Sequence, residues 1–192
     1  MELHGDRLIP APVATTWAAL NDPETLKGCI AGCESLERTG DDAYTAVVAL
    51  KIGPVSARFK GNLKMTDVSP PNGYTINFDG QGGVAGFGKG SADVSLAAID
   101  PITTRLGYRA RATVGGKMAQ IGSRLIDATA AKITDDFFAA FEAQLLARAP
   151  ESVRAAAAAA APAPRVREPA GALGWALAAI VVLASLAIVY WR

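Results

Sequence analysis

Few side chains in this sequence are equipped for covalent chemistry, and those few stand apart. The 192 residues contain one histidine, His4, and two cysteines, Cys29 and Cys33. A catalytic triad would have to recruit His4, close to the start of the sequence, and no Gly-x-Ser-x-Gly elbow accompanies it. A zinc site would lack ligands, because one histidine and a pair of thiols do not complete a tetrahedral set. A disulfide framework needs more cysteines, and Met1-Glu2-Leu3-His4-Gly5-Asp6 is too polar to be a secretory signal. Buried, reduced thiols are the expectation. Gly82-Gly83-Val84-Ala85-Gly86-Phe87-Gly88-Lys89-Gly90 is as glycine-rich as a phosphate loop, yet it lies between two strand-like runs and opens no helix. Neither a phosphate loop nor a dinucleotide fingerprint fits that context. It reads as a hairpin whose Phe87 either gates a cavity mouth or fills a core. Lys117, Gln120 and Arg124 are spaced to share one helix face. A catalytic base or anion clamp could sit at Lys117 and Arg124, but solvent-facing charges or partner contacts account for them equally simply. Lys plus Arg is 19 against 18 for Asp plus Glu. With no basic run interleaved with aromatics, this excludes a nucleic-acid footprint.

What remains is apolar, and its pattern defines the elements. The longest helical pattern runs over 118–147, after Val114-Gly115-Gly116 allow a sharp change of direction. Met118, Ile121, Leu125, Thr129, Ile133, Phe137, Phe141 and Leu145 recur at helical spacing, and Ile126 and Phe138 widen the face. The second half carries three phenylalanines and predicts tight core contact. The first half is slim (Ile121, Gly122, Leu125) and predicts a wall with space in front of it, unless the whole helix is ordinary core. Upstream, residues 2–9 alternate loosely and stop at Pro10-Ala11-Pro12. A short helix over 13–20 presents Trp17 and Leu20. Asp22 as N-cap with Pro23 at the first helical position starts a second helix to about Gly28.

From Cys33 to Val114 the period becomes two. Val55, Ala57, Phe59, Gly61, Leu63 and Met65 alternate with polar residues, as do Tyr74, Ile76 and Phe78, then Ala92, Val94 and Leu96, then Leu106, Tyr108, Ala110 and Ala112. This predicts an antiparallel sheet with one wet and one covered face. Turns are expected at Gly40-Asp41-Asp42, Gly53-Pro54, Pro70-Pro71-Asn72-Gly73, Gly82-Gly83 and Asp100-Pro101. Many inward positions are small: Ala57, Gly61, Gly80, Ala92, Ala110 and Ala112. A solid core alternates large with small and fills its volume. A curved sheet closed by one helix over such residues is expected to leave an apolar cavity, unless larger residues elsewhere fill the space.

Residues 148–170 read as an Ala/Pro-rich linker, which spans roughly 70 Å when fully extended. Residues 171–191 carry no charge and are long enough to cross a hydrocarbon core as a helix. Trp175, Tyr190 and Trp191 sit near its ends as interfacial aromatics do. Arg154, Arg165 and Arg167 precede it and only Arg192 follows. The positive-inside rule then predicts a single C-terminal pass, with the globular domain, residues 1–147, on the cytoplasmic side of the cytoplasmic membrane.

The order of strand, two short helices, antiparallel strands and long helix is that of the helix-grip fold of START-like proteins. That makes the chain α+β, with a curved antiparallel sheet wrapped on a long C-terminal helix and an added transmembrane helix. The ordered set Ile9-Pro10-Ala11-Pro12, Trp17, Leu20, Asp22-Pro23, Gly32-Cys33-Glu34, Lys51-Ile52-Gly53-Pro54-Val55, Phe59-Lys60-Gly61, Gly86-Phe87-Gly88-Lys89-Gly90 and Gly115-Gly116-Lys117-Met118-Ala119-Gln120-Ile121-Gly122-Ser123-Arg124-Leu125-Ile126 goes further. It closely resembles the CoxG family of carbon monoxide dehydrogenase subunits over residues 1 to about 147. Ala31 departs from the proline usual there. The resemblance implies an accessory protein, not an enzyme. It would recruit molybdenum-containing carbon monoxide dehydrogenase to the membrane, and its cavity would hold the isoprenoid quinone that accepts the electrons. No covalent cofactor is expected, since ligands for molybdenum, flavin or iron–sulfur clusters are missing.

The expected cavity walls are Trp17, Phe78, Phe87, Tyr108, Ile121, Gly122, Leu125 and Thr129. Tyr108 and Thr129 would be hydrogen-bond partners for a carbonyl, and Gly122→Phe would block the site. A docking adaptor with a filled core stands beside this reading. So does an enzyme, since some START-like proteins catalyse cyclisation or hydrolysis.

Overall fold

The computed structural model describes residues 1–149. Most of the linker and the whole of the 171–191 segment lie outside the described residues. Among the described residues no helix is long and apolar enough to cross a membrane.

Seven strands form one antiparallel sheet: β1 (Glu2–Ile9), β2 (Cys33–Arg38), β3 (Ala43–Ile52), β4 (Val55–Ser69), β5 (Gly73–Gln81), β6 (Phe87–Asp100) and β7 (Thr103–Gly115), in spatial order β1-β7-β6-β5-β4-β3-β2. Two short helices, α1 (Val13–Leu20) and α2 (Pro23–Cys29), connect β1 to β2, and α3 (Ser123–Arg148) closes the domain. Every expected turn falls between strands. The tightest is Gly53-Pro54, which leaves Ile52 and Val55 paired directly. Alternation holds along β4, where Phe59 and Met65 are buried while Arg58, Lys60 and Lys64 are exposed.

One expected element is not continuous. The helix read over 118–147 is two pieces: a 3₁₀ turn over Gly116–Ile121, then α3 from Ser123. The break is Gly122 at φ 98°, a left-handed conformation that glycine adopts without steric cost. The 3₁₀ turn drives Met118 into a small core with Ile52, Phe59 and Ala85. Helical spacing across 118–125 therefore matched two separate structures.

The main core lies toward the other end of α3. There Phe141 is 0 % exposed and packs with Ile9, Leu106 and Leu145. A third cluster, around Tyr44, Met65 and Tyr74, carries the sheet side under α1 and α2.

Those short helices are fixed by specific polar contacts. The Asp22 side chain accepts from the amides of Glu24 and Thr25 as an N-cap, with Pro23 following as expected. The Thr25 hydroxyl also donates to it and, ahead of the other contacts, holds the carboxyl below its usual range against the opposing cost of burial. Arg148 Nη1 donates to Thr25 Oγ1 at 2.7 Å, tying the last turn of α3 to α2. Gln144 Nε2 reaches Cys29 Sγ at 3.3 Å. Both cysteines are free, and burial raises both thiols above their ordinary pKa.

Candidate ligand-binding site

Cross-strand register lays the inner face out in rows. Tyr74, Val94 and Tyr108 are neighbours on β5, β6 and β7. The adjacent row is Met65, Ile76, Ala92 and Ala110, and the next is Tyr44, Leu63, Phe78, Gly90 and Ala112. Beyond it stand Ala46, Gly61, Gly80, Gly88 and Val114, with three glycines side by side. Side-chain volume thus falls along the sheet from the tyrosine row to the glycine row. A Cβ added at Gly88 would meet no atom within 4 Å, and one at Gly80 would meet only the Gly88 carbonyl oxygen at 3.7 Å.

The larger rows enclose an apolar cavity of about 200 Å³. The sheet supplies Leu36, Tyr44, Leu63, Met65, Tyr74, Ile76, Val94, Leu106 and Tyr108. Leu20 closes it from α1, and Leu26 and Ile30 close it from α2 and the residue that ends it. From α3 come Phe137 and Phe138. The only polar side-chain groups in this lining are three phenols, those of Tyr44, Tyr74 and Tyr108.

Burial, and then the neighbouring Tyr44, pushes the Tyr74 phenol well above its ordinary value of 10.0. The phenol therefore stays neutral and remains a hydrogen-bond donor through the physiological range. The sign for stability follows. The unfolded chain ionises first, so the contribution is intact below pH 10.0 and is lost as pH rises from there through the higher folded value. Ultraviolet titration is expected to show one tyrosine that ionises only with unfolding, and Tyr74→Phe should flatten the alkaline limb of the stability curve. Four freely titrating tyrosines would contradict this environment.

Of the eight residues expected from the sequence, Tyr108 lines the cavity, and its ring packs against Phe138 with centroids 5.3 Å apart. Trp17 stands behind the wall, edge-on to Tyr74 at 5.5 Å. Phe78 is on the lined face one row out, beside Leu63. Phe87 has the strand parity of exposed Lys89 and Asp93, and its ring covers its register partner Gly115, where a Cβ would come within 2.3 Å of it. Ile121 and Leu125 reach the Gly53 turn at the far end of the domain. The Thr129 hydroxyl donates to the Leu125 carbonyl at 2.8 Å, within its own helix. Gly122 has nothing within 4 Å of an added Cβ, so a phenylalanine there would not plug the cavity.

The cavity lies against the phenylalanine half of α3, not the slim half. The reason is the roof: α1 and α2 hold α3 off the sheet where Phe137 and Phe138 lie. The sequence reading assigned the covering role to α3 alone and passed over Leu26 and Ile30. Tyr74 was already on the inward parity of β5, and Tyr44 follows once β3 is registered on Leu63.

Outside the cavity, Arg7 secures α3 to the edge strand. Its guanidinium lies over the Phe138 ring at 5.4 Å and pairs with Asp135. Burial raises the Glu142 carboxyl pKa, and Arg7 partly offsets the shift.

Comparisons with solved structures agree on the fold. A conserved protein from Geobacillus kaustophilus is similar at 33% identity and TM-score 0.71, over 76% of this chain and 95% of that one. The Zhui aromatase/cyclase from Streptomyces sp. R1128 is similar at 10% identity and TM-score 0.61, over 79% and 97%. A START superfamily protein from Mycobacterium smegmatis is similar at 14% identity and TM-score 0.60, over 77% and 99%. At the last two identities the likeness shows the fold alone. No curated protein matches the chain. The family model for the carbon monoxide dehydrogenase component CoxG matches residues 5–146, the whole of the sheet-and-helix domain apart from its edges. The chain therefore belongs to the CoxG family of carbon monoxide dehydrogenase subunits.

Proposed function

We propose that this protein is a non-catalytic accessory of molybdenum-containing carbon monoxide dehydrogenase that binds the ring of an isoprenoid quinone in the tyrosine-rimmed cavity. The 171–191 segment would hold it at the cytoplasmic membrane, and the bound quinone would couple carbon monoxide oxidation to the respiratory chain. The observation that carries this reading is the cavity. It is apolar apart from three phenols, a lining suited to a flat apolar ring with carbonyl acceptors. It offers no carboxylate, imidazole, amine or thiol to act as base or nucleophile, which favours a carrier over an enzyme.

Size refines the reading. Benzene occupies a dry cavity of about 150 Å³, so about 200 Å³ suits a ring and not an entire polyprenyl chain. The tail would have to leave the cavity, and the glycine row offers the side of the sheet with least side-chain bulk.

The test is native mass spectrometry of the full chain released from detergent, purified from a quinone-producing host, with solvent extraction of what it carries. One quinone per chain is expected. A protein that emerges empty and takes up no added quinone would leave a pure docking adaptor as the function.

A further inference from the structure

The two ends of the sheet differ in charge. Antiparallel connections alternate, so the β3–β4 turn, the β5–β6 turn and the passage from β7 into α3 share one end. The small core of Ile52, Phe59, Ala85 and Met118 binds them together. The segments that build this end, 51–56, 82–90 and 115–126, contain Lys51, Lys89, Lys117 and Arg124 and no acidic residue. All four basic residues are exposed, and among the described residues none forms a salt bridge. The nearby Arg58 and Arg111 are neutralised by Glu34 and Glu2. The opposite turns, 39–43, 66–73 and 98–103, contain Asp41, Asp42, Asp67 and Asp100 and no basic residue. Arg38 folds onto the first of these turns.

The basic end also presents apolar side chains. Val84 is 86% exposed, whereas Ala85 beside it is 4% exposed and locked in the small core. The 3₁₀ turn over Gly83–Ala85 thus holds Val84 out on an anchored backbone. Leu125, against the neighbouring turn, is 41% exposed. Exposed apolar residues occur at the other end too, Val68 and Ile99, but there they stand among aspartates.

We propose that this basic end is a docking surface for an anionic lipid bilayer, with Val84 and Leu125 entering the interface and Lys51, Lys89, Lys117 and Arg124 facing the headgroups. An apolar prominence ringed by cations and free of carboxylates is complementary to that surface and not to the acidic end. Each basic residue held near an anionic leaflet strengthens binding by about fivefold, within a screening length of about 8 Å at physiological salt. The chain itself indicates a membrane setting, through its 21 uncharged residues at 171–191. The inference rests on the proposed membrane location and adds the orientation of the domain there, with the basic end inward.

Hydrogen exchange of the full chain in vesicles tests it. In phosphatidylglycerol-rich vesicles, amides of 82–90 and 116–126 are expected to exchange about tenfold more slowly than in phosphatidylcholine vesicles, with 39–43 and 98–103 unchanged. High salt should reduce the difference, and Val84→Asp with Lys117→Glu should abolish it. Equal exchange in the two lipids with the chain still vesicle-bound would overturn the docking surface alone, as would protection that grows with chain density, the mark of a second copy. Failure of the wild-type chain to sediment with either vesicle would instead defeat the membrane location on which the inference rests.

Discussion

Phe141→Ala is expected to lower the unfolding free energy by about 3–5 kcal/mol, the range for deleting a buried phenylalanine. Phe141 is 0% exposed, stacks on Phe137 with centroids 5.8 Å apart, and sits among Ile9, Leu106 and Leu145. These contacts join α3, the edge strand β1 and β7, so the cavity left by truncation cannot close by moving one element. A domain of this size has a total stability of about 5–15 kcal/mol, and each kcal/mol lost lowers the melting temperature by about 2–4 °C. The variant should therefore melt roughly 10 °C or more below wild type by circular dichroism. Val84→Ala, on an exposed side chain, should change stability by less than about 0.5 kcal/mol. A Phe141→Ala loss of under about 1 kcal/mol would mean that α3 is not the element on which the core depends.

Val94→Trp is expected to abolish ligand binding while leaving a folded domain. Val94 is registered between Tyr74 and Tyr108 and lines the cavity, so a larger side chain there has empty volume to enter. That separates it from ordinary overpacking, which costs about 1–3 kcal/mol because no space exists. Quinone affinity should fall by about 100-fold or more, equivalent to about 2.8 kcal/mol, as read by titration with a short-chain quinone. Gly122→Phe should leave that affinity unchanged and cost stability, since a phenylalanine is strained at φ 98°. Retained binding in Val94→Trp would place the ligand elsewhere.

The contrast between those two variants shows how far the sequence could be read. Period-two alternation identified β4 through β7 and their inward faces, because a sheet with one wet side imposes that pattern directly. Asp22-Pro23 announced α2 through its cap. The small residues Gly61, Gly80, Ala92, Ala110 and Ala112 do lie on inward parity, so the sparse inner face was legible. The position of the enclosed volume was not. It depends on how far α1 and α2 prop α3 from the sheet, and rigid-body distances between elements leave no periodic trace. Gly122 also concealed the break before α3, since apolar spacing continues across it. Phe87 was placed by the prominence of its glycine-rich run, whereas strand parity counted from Lys89 would have sent it to the other face.

The contact between Trp17 and Tyr74 also makes the domain optically informative. Trp17 is the only tryptophan among the described residues, and one tyrosine ring separates it from the cavity. Quinones accept electrons and excitation energy from excited indoles. With Trp175 and Trp191 replaced by phenylalanine, the remaining emission would come from a single fluorophore mounted on the cavity wall, so loading and unloading could be followed in real time without an attached dye.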